Sequence, residues 1–289
     1  MLENRHFRYF IEVAKALHVT RAAERLNIAQ PALTQNIQQI EAELQVQLFH
    51  RKGRRLTLTE AGKVFLGEAE LSLQQFDHAQ RTAQRAARGE VGKLILGFGS
   101  TAGLAVVPQL LQRFRQSYPD VEITLNEMGT AAQKHALRAG EIDVALMYTI
   151  SDDEFHYREL VPESLIVALP EDHLLAGRDS IALKDLEQET FVLPTLAVSE
   201  VIRNAVLSEC AEAGFMPKKI QDITTTQTAF GLVAAHFGIA IVPLSSHILT
   251  RKGVVLRPIR NSRIQIQLGL FWPKQSPSPI VPNLLKCIG

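Results

Sequence analysis

The apolar residues near the N-terminus recur at three- and four-residue intervals, which predicts an amphipathic helix. They are Phe7, Phe10, Ile11, Ala14 and Leu17. A short second helix is predicted over residues 21–26, with Thr20 as its N-cap. Gln30 and Pro31 then open a third helix, because proline in a first turn loses no hydrogen bond. Its predicted buried stripe consists of Leu33, Ile37, Ile40 and Leu44.

The third helix and the segment after it carry the chemistry of a DNA-binding surface. The polar face of this helix shows Thr34, Gln35, Asn36, Gln38 and Gln39. Amide side chains donate and accept in pairs to base edges, and the small Ala22 and Ala23 allow the close crossing of a helix-turn-helix. The basic run 51–55 stands between two strand-like runs, which predicts a β-hairpin whose arginines lie along phosphates. For the helices alone, an ordinary three-helix bundle with a solvated polar face is the open alternative.

A long amphipathic helix is predicted over residues 59–88. Its apolar stripe consists of Leu66, Ala69, Leu73, Phe76, Ala83 and Ala87, interrupted by Gln80. Such a stripe favours pairing of two chains, and a dimer with two DNA-binding heads prefers a two-fold symmetric DNA site. The alternative is a helix that packs on its own chain. Residues 89–92, Gly-Glu-Val-Gly, are expected to form a hinge.

From Lys93 onward the pattern alternates between strands and helices. Strands are predicted at 94–98, 121–127, 144–148, 165–169, 191–193, 220–223, 239–242, 254–258 and 264–272. Helices are predicted at 104–117, 131–139, 199–213 and 226–237, with a short one at the C-terminus. This alternation predicts mostly parallel sheets covered by helices. The two similar sets predict two lobes. The boundary between them is expected near Val161, and the chain is expected to return to the first lobe near Arg263.

Charge is distributed unevenly along the chain. Residues 1–63 hold 10 Lys and Arg against 6 Asp and Glu, whereas the other 226 residues hold 21 against 24. A basic head on a neutral-to-acidic body fits a nucleic-acid-binding protein whose body has another role. Without an apolar run of membrane-spanning length or a secretory signal, we expect a cytoplasmic, nucleoid-associated protein with no membrane contact.

Hydroxyl residues stand at several strand-to-helix turns of the body. N–H groups and the dipole at a helix start favour an anion, and open α/β sheets bind ligands at this edge. The candidate ligand contacts are Ser100, Thr101, Thr130, Thr195, Ser199 and Phe230. The alternatives are that each hydroxyl only caps its helix and that Phe230 packs in the core.

The chain shows no catalytic constellation. Gly97, Gly99 and Gly103 resemble a dinucleotide fingerprint, but the last glycine comes one residue late and no acidic residue supports it. GxxxxGK[ST], HExxH and GxSxG motifs are missing. Cys210 and Cys287 lack metal-ligand spacing and are expected to be reduced thiols, with a redox switch as the alternative. We therefore expect neither an enzyme nor a cofactor or metal.

Residues 7–62 resemble the LysR-type transcription regulators. The resemblance is carried by A-A-E-R-L-N, Q-P-A-L-T-Q-N-I-Q-Q-I-E-A-E-L, L-F-H-R and L-T-L-T-E-A-G. Residues 126–130 and 231–235 are similar to the family's regulators of aromatic-compound catabolism. The resemblance implies an α/β chain with an N-terminal all-α winged helix-turn-helix. The C-terminal part is then a two-lobed effector domain like the periplasmic binding proteins.

The resemblance also implies contacts and partners. Matched residue by residue, the DNA contacts are Thr20, Gln30, Pro31, Ala32, Thr34, Gln35, Gln38, Arg51 and Arg54. Ala29 stands where the family usually has Ser, so a helix cap is missing, and Gln35 stands where Arg is frequent. The implied partners are a pseudo-palindromic double-stranded DNA operator, a small carboxylate effector and RNA polymerase, with the chain as a homotetramer. Activation of the target gene is the expectation, and repression is the open alternative.

The predicted organisation follows from these patterns. It comprises a winged helix-turn-helix at 1–58, a dimerisation helix at 59–88, a hinge at 89–92, one effector subdomain at 93–161 and 265–289, and a second at 162–264. Three other classes compete with a regulator. A solute-capturing protein does not explain the basic head, an autoregulated enzyme needs catalytic residues, and an architectural DNA binder has no need of two α/β lobes.

Overall fold

The computed structural model describes residues 1–52, 55–149, 154–262, 264–275 and 278–288. The chain divides into two compact units, Met1–Arg85 and Ala86–Gly289. Arg54, one of the expected DNA contacts, lies outside the described residues, as does the side chain of Arg51.

The first unit is a helical core with a β-hairpin. Its elements are α1 (Asn4–Ala16), α2 (Val19–Arg25), α3 (Gln30–Leu44), β1 (Phe49–Lys52), β2 (Arg55–Leu58) and α4 (Glu60–Ala87). The core contains the predicted apolar positions except Leu17, which is 44% exposed, and Phe10, Ala22 and Leu33 are fully buried. Thr20 as N-cap was wrong: α2 begins at Val19, and His18 is the cap, its Nδ1 accepting the N–H of Arg21 at 3.4 Å. The imidazole of His18 therefore caps the helix two positions earlier than the hydroxyl of Thr20 was expected to.

The first turns of α4 pack on their own unit. Leu66, Ala69 and Leu73 belong to the core built around α1, and Phe65 lies 4.8 Å from Phe10 between ring centroids. The predicted stripe therefore does not face outward as a whole, because its N-terminal half closes the helical core. Apolar side chains elsewhere on the helix are solvent-exposed, among them Leu71 and Phe76.

The second unit contains two α/β lobes. The first lobe has β3 (Gly92–Phe98), α5 (Ser100–Ala105), α6 (Val107–Ser117), β4 (Val121–Glu127), α7 (Thr130–Ala139) and β5 (Val144–Thr149). After β6 (Phe155–Pro170), the second lobe has β7 (Thr190–Pro194), α8 (Leu196–Glu212), β8 (Lys219–Ile223), α9 (Thr226–Ala234), β9 (Ile239–Pro243) and β10 (Val254–Pro258). The chain ends with β11 (Gln265–Pro273) and α10 (Val281–Lys286).

Each lobe contains a parallel sheet of three strands, and antiparallel strands join the lobes. The parallel strands are β4-β3-β5 in the first lobe and β9-β7-β8 in the second. The first half of β6 pairs with β11, and its second half pairs with β9 and β10, so β6 continues from one lobe into the other. The strand-to-helix turns of both lobes thereby open toward a shared cleft.

Three predicted elements differ from the structure. The helix expected at 104–117 is divided at Val106 between α5 and α6, because Pro108 has no N–H to donate to the carbonyl four residues earlier and its ring clashes with that carbonyl. The strand β6 starts ten residues earlier than the apolar run at 165–169 indicated. Its first half is largely exposed and therefore contains no continuous apolar run that would predict a strand. The helix expected to begin at Ser199 starts at Leu196 but is kinked at Ser199, where φ is −157°.

The predicted hinge at 89–92 is packed against the C-terminal segment. Asn283 is 5% exposed, and its Nδ2 donates to the carbonyls of Arg88 and Gly89 at 2.7 and 3.1 Å. Gly89 has a φ of +67°, and a Cβ there would lie 2.3 Å from the carbonyl oxygen of Pro279. Gly92 already belongs to β3. The start of this segment is therefore held by contacts within the second unit.

Candidate functional site

The expected DNA-contacting residues of α2 and α3 present an exposed polar surface. Gln30, Pro31, Ala32, Gln35 and Gln38 are exposed, while the stripe on the opposite face of α3 is buried. This arrangement leaves the amides of α3 accessible to a partner.

The start of α3 is held by local hydrogen bonds. Thr20 is exposed and its hydroxyl donates to Oε1 of Gln30 at 3.3 Å, so α2 and α3 meet at these two residues. The half-buried Thr34 donates to the carbonyl of Gln30 at 3.0 Å. The N-cap of α3 is Ala29, which makes no side-chain capping bond.

A buried carboxylate on α3 anchors the hairpin. Glu41 is 5% exposed, and its Oε1 accepts the N–H groups of Leu48 and Phe49 at 2.8 and 3.2 Å. These amides start β1, which pairs with β2 from Phe49↔Leu58 to Lys52↔Arg55. Glu41 was not predicted from the sequence, although it falls four residues after Ile37 within the buried stripe.

The second unit has a cavity between its lobes, with about 630 Å³ of empty space including its mouth. The expected residues Ser100, Thr101 and Thr130 line it from the first lobe, and Ser199 lines it from the second. The hydroxyl of Ser199 also caps the main part of α8 by accepting the N–H of Ile202 at 3.3 Å. Two other expected residues do not line the cavity. Thr195 occupies the N-cap position of α8 without a side-chain capping bond, and Phe230 is 1% exposed among core residues of the second lobe.

The two lobes meet through hydroxyl groups at this cavity. The hydroxyl of Thr226 lies 3.0 Å from that of Thr101 and 3.4 Å from that of Ser100. Thr225 and Gln133 also line the cavity. Thr225, Thr226 and Gln133 were not predicted from the sequence as lining residues. The threonines follow β8 in the same strand-to-helix position that pointed to Ser100, and Gln133 lies one helical turn after Thr130.

The polarity of the cavity is set by helix ends. The N-termini of α5, α7 and α9 all contribute lining residues. The first N–H groups of a helix have no partner within the helix, and the helix dipole makes this end positive. Among the described residues, no Asp, Glu, Lys, Arg or His lines the cavity. The cavity thus offers hydroxyl and N–H donors to a ligand, and its described lining residues include no acidic side chain.

A buried network supports one wall. Tyr148 lines the cavity, and its hydroxyl donates to Oε1 of Glu163 at 3.0 Å, while the N–H of Ser245 donates to Oε2 at 3.1 Å. Burial and the charge of Glu163 raise the pKa of Tyr148 far above its usual value, so the phenol stays protonated. Glu163 lies on β6, which links the lobes, and therefore ties β5 of one lobe to the segment after β9 of the other.

The described residues offer no reactive thiolate, metal site or membrane-spanning helix. Burial, with a smaller contribution from Glu209, raises the pKa of the Cys210 thiol to about 11, and burial also raises that of Cys287. A raised thiol pKa disfavours the nucleophilic thiolate form at neutral pH. No group of His, Cys, Asp and Glu in the described part could hold a metal ion. None of the described helices is both long and apolar enough to cross a membrane.

The hydroxyl contact across the cavity gives a first prediction. Thr226→Val is expected to lower the free energy of unfolding of the second unit by about 1 kcal/mol, the usual net value of a hydrogen bond. The exposed Thr224 provides the control, and Thr224→Val is expected to change it by less than about 0.5 kcal/mol. Urea unfolding followed by circular dichroism measures both. Equal effects of the two substitutions would show that the hydroxyl contact of Thr226 contributes nothing to the stability of the second unit.

Comparison with known proteins agrees with this organisation. Residues 4–63 match the family model of the bacterial regulatory helix-turn-helix protein, lysR family, and residues 87–289 match that of the LysR substrate binding domain. The regulator AlsR of Bacillus subtilis is 32% identical over 285 residues, covering 98% of this chain and 94% of AlsR. HcaR of Escherichia coli, the Hca operon transcriptional activator, is 33% identical over 288 residues, covering 99% of this chain and 97% of HcaR.

Solved structures of the same family resemble the whole chain. The LysR family regulator CbnR superimposes with a TM-score of 0.85 at 27% identity, covering all of both chains. Full-length CbnR in complex with its target DNA gives a TM-score of 0.84 at 27% identity, covering 99% of this chain and 98% of CbnR. These families consist of transcription regulators, not enzymes. The chain belongs to the LysR-type transcription regulators, with an N-terminal DNA-binding helix-turn-helix domain and a C-terminal effector-binding domain.

Proposed function

We propose that this regulator binds a pseudo-palindromic DNA operator and that a small organic acid in the interlobe cavity modulates its activity. The cavity lies between subdomains formed by residues 93–161 with 265–289 and by residues 162–264. The observation that carries the effector proposal is the meeting of three helix N-termini and several hydroxyl groups in a cavity whose lining residues bear no charge. A carboxylate there accepts hydrogen bonds and complements the positive helix ends.

The remaining wall of the cavity suits the hydrocarbon part of such an acid. Leu146, Val192, Ile202 and Ile241 are among its apolar lining residues. We therefore propose a compact acid with an apolar body, of the kind that arises in aromatic catabolism. To regulate, the acid must bind one arrangement of the lobes more tightly than another.

The proposed assembly is a dimer that pairs through the helical segment 59–88 and associates further into a homotetramer. Exposed Leu71 and Phe76 support the pairing, because an isolated helix leaves such side chains in water. Two heads per dimer match two half-sites of DNA. We place this assembly on the bacterial nucleoid, where it acts with RNA polymerase.

The DNA-binding proposal is tested by fluorescence anisotropy across a salt series. The labelled probe is DNA from the region upstream of the protein's own gene, and random DNA is the control. We expect binding to one sequence only that survives physiological salt. Equal binding to both probes, lost as salt rises, would leave only a non-specific basic surface and contradict the proposal.

The same assay tests the recognition helix. Gln35→Ala is expected to weaken binding to the specific DNA about tenfold, because a paired amide contact to a base is worth ~1–3 kcal/mol. Binding to random DNA and the salt slope should not change, since the amide carries no charge. Gln47→Ala is the control, because Gln47 is an exposed amide in the turn beyond α3. A loss of the same size with both variants would remove Gln35 from the base-reading contacts.

A further inference from the structure

One residue in the wall of the interlobe cavity has a side-chain oxygen with an unmet hydrogen-bonding requirement. Gln133 lines the cavity and is only 1% exposed, and its Oε1 is buried without a hydrogen-bond partner among the described residues. Buried polar atoms in native proteins are nearly always paired, so an exception in the wall of a binding cavity points to the ligand.

The hydrogen bonds of Gln133 identify this atom as an acceptor. Its Nε2 donates to the carbonyl oxygen of Met128 at 3.0 Å. The two ends of an amide are distinguished by their partners, and the flipped orientation would place two oxygens against each other. The atom left over is therefore a carbonyl oxygen, which requires an O–H or N–H donor.

A simple carboxylate cannot meet this requirement, because an ionised carboxylate only accepts hydrogen bonds. An ammonium group is disfavoured by the helix N-termini that contribute to the cavity, which carry partial positive charge. A hydroxyl group donates without adding charge.

Gln133 and Thr130 lie three residues apart on α7 and therefore face the same side of the helix. A ligand whose carboxylate reaches the N-terminus of α7 thus places nearby substituents next to Gln133. We infer that the effector is a hydroxy acid and that Gln133 selects it over the corresponding deoxy acid by accepting its hydroxyl. The inference rests on the proposed acid-binding function of the cavity and specifies the class of acid.

Matched pairs of acids test this selection in the full-length protein. Isothermal titration calorimetry compares lactate with propionate, malate with succinate, mandelate with phenylacetate, and beta-hydroxybutyrate with butyrate. We expect at least one hydroxy acid to bind tenfold or more tightly than its deoxy partner. A site that pairs with a hydroxyl rejects the analogue lacking it, because its own polar group is then left unpaired.

Gln133→Met removes the acceptor at nearly constant size, and Gln112→Met is the control at an exposed position in the same lobe. We expect the Gln133 variant to lose the preference, mainly by weaker binding of the hydroxy acid, and the Gln112 variant to keep it. Thermal unfolding without ligand verifies that each variant is folded. The wild-type affinity ratio tests the inference even where the Gln133 variant does not fold.

Three outcomes would contradict the inference. Equal affinities for both members of every pair, or a preference that survives in folded Gln133→Met, would overturn the role of Gln133 and leave the acid-binding proposal intact. Failure of every acid to bind folded wild-type protein would overturn the proposed acid effector, and the inference with it.

Discussion

Glu41→Ala is expected to destabilise the DNA-binding unit by about 3–5 kcal/mol. The carboxylate accepts two buried backbone N–H groups, those of Leu48 and Phe49, and a hydrogen bond to a charged group is worth ~1.5–3 kcal/mol. Alanine leaves both donors buried and unpaired at the start of β1. We therefore expect the hairpin to lose its attachment to α3, and specific DNA binding to be lost with it.

Two variants make this result specific. Glu41→Gln keeps one acceptor oxygen without the charge, so its loss of stability should lie between wild type and Glu41→Ala. Glu43→Ala removes a carboxylate from the same helix that is exposed and pairs with the N-terminal amine, and it should change stability little. Urea unfolding together with DNA anisotropy measures all three. Similar losses in the Glu41 and Glu43 alanine variants would contradict the anchoring role.

Gly129→Ala is expected to weaken effector binding by roughly tenfold to a hundredfold. Gly129 is the N-cap of α7 in the first lobe, and a Cβ there would lie 2.6 Å from the carbonyl oxygen of Ala197 and 2.8 Å from Cα of Val198. Both atoms belong to the backbone of the second lobe, so the lobes must move apart at this point. Overpacking of this kind costs ~1–3 kcal/mol, which corresponds to the stated loss of affinity.

Gly99 offers a matched control on the same side of the cavity. It is the N-cap of α5, with φ −84° and ψ 158° against −68° and 161° at Gly129. A Cβ on Gly99 meets no atom within 4 Å. Calorimetric titration of both alanine variants with the acid that binds wild type separates the effect of lobe contact from that of replacing a capping glycine. Equal affinity losses would show that the approach of Gly129 to α8 does not control ligand binding.

The order of elements could be predicted from sequence because each is encoded locally. Apolar residues at helical spacing predicted α1 and α3, and alternating βα units predicted the two lobes. The strand β4 has the predicted bounds, Val121–Glu127. The motifs of residues 7–62 were sufficient to identify the family, since a helix-turn-helix and its wing occupy one continuous segment.

Local patterns failed where a distant partner decides the structure. The first half of β6 mixes polar and apolar residues and is mostly exposed, so only its pairing with β11 makes it a strand. The apolar stripe of α4 suggested one outward face, whereas Ala69 on that stripe is buried in the helical core of the first unit. Phe230 was an expected wall residue, and its ring lies in the core of the second lobe because α9 packs on the sheet there.

By itself, the sequence determined that this protein has a basic helix-turn-helix head and a two-lobed α/β body, because helix and strand periodicity and charge are properties of neighbouring residues. It also indicated Ser100, Thr101, Thr130 and Ser199, since strand-to-helix turns can be recognised locally. Only the tertiary structure joined Thr226 to these residues across the two lobes and left Oε1 of Gln133 buried in the cavity wall. The reason is physical: a hydrogen bond across a cleft depends on where two lobes meet, and residues more than a hundred positions apart carry no mutual periodic signal.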